Sequence, residues 1–145
     1  MKKDVLITVK GIQGDVLDSE KIEMITTGSF YEKNDKYYIH YIDTALDSEV
    51  ETKTSVKMNS NKVSITRFGA TSTHMIFEEG VSHYAPYETP FGIFEIKTHT
   101  NKISLEKNET SLKLAVEYLL EINKRSSGVA YFELYAKEMN EETIL

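Results

Sequence analysis

Hydrophobic and polar residues alternate with a period of two along most of this chain. Side chains of a strand point alternately to the two faces of a sheet, so this period predicts strands that are buried on one face. No long segment repeats its apolar residues with the 3.6-residue period of an amphipathic helix. The clearest strand lies in residues 50–58, where polar and charged residues alternate with Val50, Thr52, Thr54, Val56 and Met58.

Turn residues divide the pattern into roughly nine or ten strands. Turns are indicated by "EKNDK" at 32–36, "NSN" at 59–61 and "KRSSG" at 124–128. Residues 112–122 contain good helix formers, but their apolar residues alternate strictly, which favours a strand. A change of phase near Asn101 predicts a β-bulge or a turn inside the long strand that follows Phe91.

Short connections between successive strands favour an antiparallel meander. Closing such a sheet removes the free edges that a sheet of this size otherwise exposes. We therefore predict an all-β protein, a single antiparallel up-and-down β-barrel of about 8–10 strands. Because internal repeats and linkers are absent from the sequence, one domain is expected over residues 1–145.

Composition excludes several classes of function. The chain has no cysteine, which removes disulfides, thiolate nucleophiles and thiolate metal sites. Its net charge of −6 disfavours a nucleic-acid partner, because such binding rests on clustered lysine and arginine. No apolar run approaches the ~18 residues of a membrane span. The uncharged run Val5–Val9 is also shorter than a signal peptide needs, so we expect a cytoplasmic protein with no membrane partner.

Both prolines of the chain lie in "HYAPYETPFG", residues 83–92. Each proline fixes φ and removes a hydrogen-bond donor, so this segment cannot be a central strand. It is predicted to be a loop, an edge or a bulged corner. A stiff aromatic segment is also suited to the rim of a ligand cavity, and the candidate rim residues are His83, Tyr87 and Thr89.

Polar residues that share the inward parity of their strands are candidates for a cavity lining. They include Thr52, Thr54, Arg67 and Tyr118. Arg67 follows two apolar residues at the same alternation, and burying an unpaired guanidinium is costly. Arg67 is therefore either a rim residue that pairs with water or a carboxylate, or the anchor of an anionic ligand.

Motifs of catalysis and cofactor binding are missing. The sequence has no G-x-S-x-G, no dinucleotide-binding or P-loop glycine pattern, and no histidine pair at helical metal-ligand spacing. We expect no cofactor and no metal site, and a non-enzymatic function is favoured.

Four segments are distinctive: "TRFG" (66–69), "MIFEEG" (75–80), "HYAPYETPFG" (83–92) and "EYLLEIN" (117–123). Together they resemble the YwiB-like family of uncharacterised bacterial proteins. The resemblance covers nearly the whole chain and implies a calycin-type barrel, related in shape to lipocalins and fatty-acid-binding proteins. It implies a bacterial, cytosolic protein and no assigned activity. Family members often carry glycine where this chain has Ser48 or Glu49. The resemblance therefore does not fix the conformation of the turn at 45–50.

Three hypotheses follow. The leading one is a barrel that binds a small, partly apolar or anionic molecule, with Arg67 as the anchor. The second is a hydrolase or isomerase that uses His83 as a base and Arg67 as an electrostatic stabiliser at the barrel mouth, which requires both side chains to reach one ligand. The third is a homodimer, rather than a monomer, that forms through a tyrosine-rich face with Tyr37, Tyr38 and Tyr41.

Overall fold

A computed structural model shows ten antiparallel β-strands in the part of the chain that it describes. It describes residues 2–13, 20–43, 51–69 and 72–139, so the predicted turn at 45–50 lies outside the described residues. Among these residues we find no helix of the length and hydropathy that a membrane span requires. The strands are β1 (Lys3–Gln13), β2 (Glu20–Lys33), β3 (Lys36–Asp43), β4 (Thr52–Met58), β5 (Lys62–Phe68), β6 (Ser72–Glu78), β7 (Ser82–Thr89), β8 (Gly92–Lys107), β9 (Ser111–Ile122) and β10 (Arg125–Glu138).

The ten strands form a closed barrel. Each strand pairs with the strands before and after it in the sequence, and β1 also pairs with β10. At this seam Val5 lies opposite Glu138 on β10 and Gly28 on β2. The predicted all-β, antiparallel up-and-down barrel of about 8–10 strands is therefore confirmed, with ten strands.

The meander gives the barrel two ends. The upper end carries the β7–β8 turn at 90–91 and the β9–β10 turn at 123–124, and its other three connections include residues outside the described ranges. The lower end carries the connections from β2 to β3, β4 to β5, β6 to β7 and β8 to β9. These are residues 34–35, 59–61, 79–81 and 108–110.

The alternation in the sequence becomes an alternation of burial in the barrel. Every second residue from Thr52 to Met58 is buried, and the same holds from Leu112 to Leu120. The strand predicted at 112–122 is therefore confirmed. Burial of each large apolar side chain contributes about 1.5–3 kcal/mol to folding. The largest fully buried apolar side chains of the described residues include Phe77, Ile7, Ile39, Met58, Leu114 and Leu134.

The turn between β9 and β10 comes earlier than predicted. Residues 124–128 were expected to form it, but the chain turns at Asn123 and Lys124, whose φ angles are 51° and 68°. A tight two-residue hairpin turn needs positive φ at both central positions, and asparagine tolerates this conformation. The segment 126–128 lies inside β10 instead, where the register with β9 shifts by a bulge.

The change of phase near Asn101 is a β-bulge, as predicted. The register of β8 against β9 shifts between Thr100 and Lys102. The backbone N–H of Ile103 donates a hydrogen bond to the Glu79 carboxylate at 2.8 Å. The bulge is therefore held by a side chain from the connection between β6 and β7.

The proline-containing segment forms β7, a strand with one poorly paired side. It pairs with β8 from Ser82 to Thr89. Towards β6, only Tyr87 and Glu88 make backbone pairs, and Pro86 has no N–H to donate. The prediction that this segment cannot be a central strand is therefore wrong, because β7 has a neighbour on each side in the closed barrel. Its short pairing with β6 leaves most of that side edge-like, and Pro90 lies in the turn that follows β7.

Two threonines seal the barrel wall where β7 diverges from β6. The Thr98 hydroxyl donates to the Ile76 carbonyl at 3.2 Å, and the Glu78 N–H donates to the Thr100 hydroxyl at 3.2 Å. Both threonines are buried and lie on the inner face of β8. The end of β6 therefore rests against β8 directly, and the wall stays closed without a full β6–β7 ladder.

We expect Gly28→Ala to destabilise the barrel. A Cβ at Gly28 would clash with the His40 carbonyl oxygen and come within 2.6 Å of the Ile7 Cδ1 atom, so the free energy of unfolding should fall by about 1–3 kcal/mol. Gly11→Ala is the matched control, because its Cβ would meet only the Tyr131 carbonyl oxygen, at 3.8 Å. Urea denaturation measures both variants, and equal losses would contradict the close approach at Gly28.

Candidate binding site

The predicted lining residues converge inside the upper half of the barrel. Thr52 and Thr54 project inward from β4, and Thr54 lies opposite Arg67 in the β4–β5 register. Arg67 in turn lies opposite Thr73 on β6. Three neighbouring strands thus bring polar side chains to one level of an interior that is otherwise apolar.

Three of these polar atoms are buried without a hydrogen-bond partner in the described part of the chain. They are the hydroxyl oxygens of Thr52 and Thr54 and the Nε atom of Arg67. Thr52 is 0% exposed and Thr54 is 1% exposed. Nearly all buried polar atoms in folded proteins are paired, and each unpaired one costs about 1–3 kcal/mol. These atoms therefore mark a place where partners from outside the chain would be stabilising.

The positive charge of Arg67 also lacks a counterion within the described ranges. The ion pairs there join Lys3 to Glu138, Lys97 to Glu121 and His83 to Glu78, all on other strands than β5. A half-buried guanidinium without a carboxylate favours the binding of an anion. Two roles were considered for Arg67, a rim residue and a ligand anchor. Its partial exposure fits a rim position with the head in water, whereas pairing with a carboxylate is not seen among the described residues.

Tyr118 reaches into the same region from the opposite wall. It is buried on β9, and its ring lies 4.8 Å from the Phe77 ring. Burial raises the pKa of the Tyr118 phenol above its ordinary value, while the nearby charge of Arg67 opposes part of this shift. The phenol therefore keeps its proton at neutral pH and offers a hydrogen-bond donor within electrostatic reach of the guanidinium.

The three predicted rim residues do not form one rim. Tyr87 lies opposite Thr73 and packs against the core, at the level of Arg67. Thr89 is the last residue of β7, and its hydroxyl donates to the Gly92 carbonyl at 2.9 Å and accepts from the Phe91 N–H at 3.1 Å. Its hydrogen bonds therefore hold a turn.

His83 lies far from Arg67. Its Nε2 atom is 3.3 Å from the Glu78 carboxylate, and Glu78 is five residues beyond Thr73 along β6. Five residues of strand span about 17 Å. His83 and Arg67 therefore do not share a cavity, and the hypothesis of an enzyme that uses both side chains at the barrel mouth is wrong.

The predicted tyrosine-rich face is also wrong. Alternation along β3 sends Tyr37 and Tyr41 to the inside, where Tyr37 stacks on Phe30 at 5.9 Å and Tyr41 is buried. Only Tyr38 points outward, where its ring stacks on Tyr31 at 4.7 Å. Tyr41 instead lies opposite Thr54 on the inner wall. It alternates in step with the apolar residues of β3, so the sequence pattern already indicated that its side chain points inward.

The other histidines lie on the outer face and pair with hydroxyl groups of neighbouring strands. The Nδ1 atoms of His40, His74 and His99 are each 2.7–2.8 Å from a serine or threonine oxygen. In the described part of the chain, no three histidine, aspartate or glutamate side chains come together as metal ligands.

Comparison with known proteins gives consistent matches. The model of the DUF1934 family, described as a domain of unknown function, matches residues 7–134. The uncharacterized beta-barrel protein YwiB of Bacillus subtilis (strain 168) is 34% identical over 120 residues, which cover 81% of this chain and 83% of that protein. The crystal structure of the ywiB protein from Bacillus subtilis matches with a TM-score of 0.81 at 26% sequence identity, over 96% of this chain and 94% of that chain. The resemblance seen in the sequence is confirmed.

Thr54 and Thr73 flank Arg67 and form a matched pair for mutation. The Thr73 hydroxyl donates to the Pro86 carbonyl at 3.2 Å, whereas the Thr54 hydroxyl has no partner among the described residues. We expect Thr73→Val to lower the free energy of unfolding by about 1 kcal/mol, and Thr54→Val to leave it unchanged or to raise it. Urea denaturation compares the two. Equal losses would show that the Thr54 hydroxyl is paired and would remove a main support of the site.

His40 should make stability depend on pH. Burial, and secondly the charge of Lys2, lower the His40 pKa below its ordinary value of 6.5. The unfolded chain then binds a proton more readily than the folded one, so this contribution to stability is complete above about pH 6.5 and is lost as the pH falls towards the folded pKa. The free energy of unfolding should therefore fall more between pH 7.5 and 5.5 in the wild type than in His40→Gln. Parallel curves would contradict this.

Proposed function

The chain belongs to the DUF1934 family of YwiB-like β-barrels, and on this premise we propose that it binds one small, partly apolar anion inside the upper half of the barrel. Arg67 anchors the negative charge, and Thr52, Thr54 and Tyr118 complete the polar part of the site. The observation that carries the proposal is the set of three buried, unpartnered polar atoms beside a guanidinium with no counterion in the described residues.

Hydrogen-bond chemistry favours an anion over a neutral or cationic molecule. Arg67 can only donate, and the protonated Tyr118 phenol and the two hydroxyls can donate as well. A ligand that matches this set must bring acceptors. A carboxylate or a sulfonate accepts several such bonds and compensates the positive charge, and bonds of this kind are about twice as strong as neutral ones.

The surrounding side chains favour a ligand with an apolar part. Phe77, which is fully buried, lies against the Tyr118 ring, and Met75 and Tyr87 pack at the edge of the same core. Small-ligand sites typically combine such an apolar lining with a few polar groups that fix the orientation of the ligand. A closed barrel of about this size can hold one small molecule among its side chains.

The proposal predicts that Arg67→Met weakens the binding of an apolar anion. The dye 1-anilinonaphthalene-8-sulfonate combines an aromatic body with a sulfonate and serves as the probe in isothermal titration calorimetry. We expect one site in the wild type and a dissociation constant that is about 10- to 100-fold higher in Arg67→Met, because a charge-assisted hydrogen bond is lost.

Arg125→Met is the matched control, because Arg125 is the other arginine of the chain and lies exposed at the start of β10. It should bind the dye as the wild type does. The neutral dye Nile red should not distinguish Arg67→Met from the wild type. Equal affinity of the wild type and Arg67→Met for the anionic dye would overturn the proposal. Native mass spectrometry of gently purified protein would then identify any natural ligand by the mass that is lost on denaturation.

A further inference from the structure

Among the described residues, the outer face carries three pairs of a histidine and a hydroxyl group, and these pairs differ in their surroundings. His40 pairs with Ser55, His74 with Thr66 and His99 with Ser82, with distances of 2.7, 2.7 and 2.8 Å from Nδ1 to oxygen. All three join residues that lie directly opposite each other on neighbouring strands. Strand register alone therefore creates the pairs, and any function must come from what surrounds one of them.

The His40–Ser55 pair has a third member. The His40 Nε2 atom is 3.4 Å from the Tyr31 hydroxyl, and the imidazole stacks on the Tyr31 ring at 5.5 Å. Both ring nitrogens of His40 are thus engaged, which fixes the ring plane. Within the described residues, neither His74 nor His99 has a partner for its Nε2 atom.

The same pair borders a wide cleft on the described surface. The cleft has a volume of about 750 Å³ and runs across β1 to β4. His40 and Ser55 line it together with Lys2, Lys53 and Ile42. The pairs of His74 and His99 do not border it. A small molecule in this cleft would contact the Ser55 hydroxyl, with positive charge and apolar surface nearby.

We propose that Ser55 is a nucleophile for small carboxylic esters, with His40 as its general base and Tyr31 as a positioning residue. We assign the imidazole proton to Nε2, which donates to the Tyr31 hydroxyl. The Nδ1 lone pair then accepts the hydrogen bond from Ser55. This is the arrangement of nucleophile, base and orienting group that activates a serine.

Two further features suit this reaction. Burial and the nearby charge of Lys2 keep the His40 pKa below its ordinary value, so the imidazole is unprotonated and able to accept a proton at neutral pH. Lys2 and Lys53 line the cleft together with one carboxylate, Asp4, so its lining carries a net positive charge that would stabilise a developing oxyanion. An ester with a compact acyl group is the substrate class that matches a cleft of this size.

The reaction balances as follows. The Ser55 oxygen bonds to the carbonyl carbon while its proton moves to His40 Nδ1. The bond from this carbon to the alcohol oxygen breaks, and the departing alkoxide takes the proton from His40. Water then attacks the acyl-serine and gives a proton to His40, which returns it to the Ser55 oxygen as the carboxylic acid leaves.

Labelling with a biotin-linked fluorophosphonate tests the nucleophile. We expect one adduct per chain in the intact mass, located by peptide mapping at Ser55, and no adduct in Ser55→Ala. Ser82→Ala is the matched control, because it removes the hydroxyl of a histidine–serine pair that does not border the cleft and has no tyrosine partner. This variant should be labelled as the wild type is. His40→Ala should slow labelling by about 100-fold. Circular dichroism confirms that each variant is folded.

The tautomer of His40 tests the positioning role independently. The ¹⁵N shifts of its ring nitrogens should show the proton on Nε2 in the wild type and a mixture of tautomers in Tyr31→Phe, which keeps the aromatic ring but lacks the hydroxyl. No adduct, an adduct that survives Ser55→Ala, an unchanged rate in His40→Ala, or a wild-type proton on Nδ1 would each overturn the proposal.

Discussion

The hydrogen-bonded seam between β1 and β10 is the constraint on which the rest of this structure depends. Once these two strands pair, every strand has neighbours on both sides and one face of each strand is cut off from water. Apolar residues at every second position then become a common core. The same closure decides which polar residues are enclosed, because a polar side chain at an inward-facing position of a strand must point into the barrel.

Enclosure is favourable for the lower half of the barrel and costly for part of the upper half. Below, residues such as Ile39, Met58 and Leu114 are fully buried, and their burial stabilises the fold. Above, Thr52, Thr54 and Arg67 place polar atoms in the interior without partners among the described residues. Proteins accept such local costs mainly where a function needs them, since stability elsewhere can offset about a few kcal/mol.

The wall between β6 and β8 shows how a barrel tolerates an imperfect ladder. β7 carries Pro86 and pairs only briefly with β6, yet Thr98 and Thr100 hold the end of β6 with side-chain hydrogen bonds. These threonines look like candidates for a polar cavity when the sequence is considered alone. In the structure their hydroxyls replace missing backbone bonds, so an inward threonine can serve the wall as well as a ligand.

The sequence by itself determined the class of the fold, the parity of most strands and the bulge near Asn101, because each depends on neighbours within a few residues. Parity also places Arg67 and Tyr118 inside. Only the tertiary structure decided which of these side chains meet. Register between strands separates His83 from Arg67, and it joins His40 on β3 to Ser55 on β4, although these two residues are 15 positions apart in the chain. Hydrogen-bond register and closure are collective properties of all ten strands, and no local pattern encodes them.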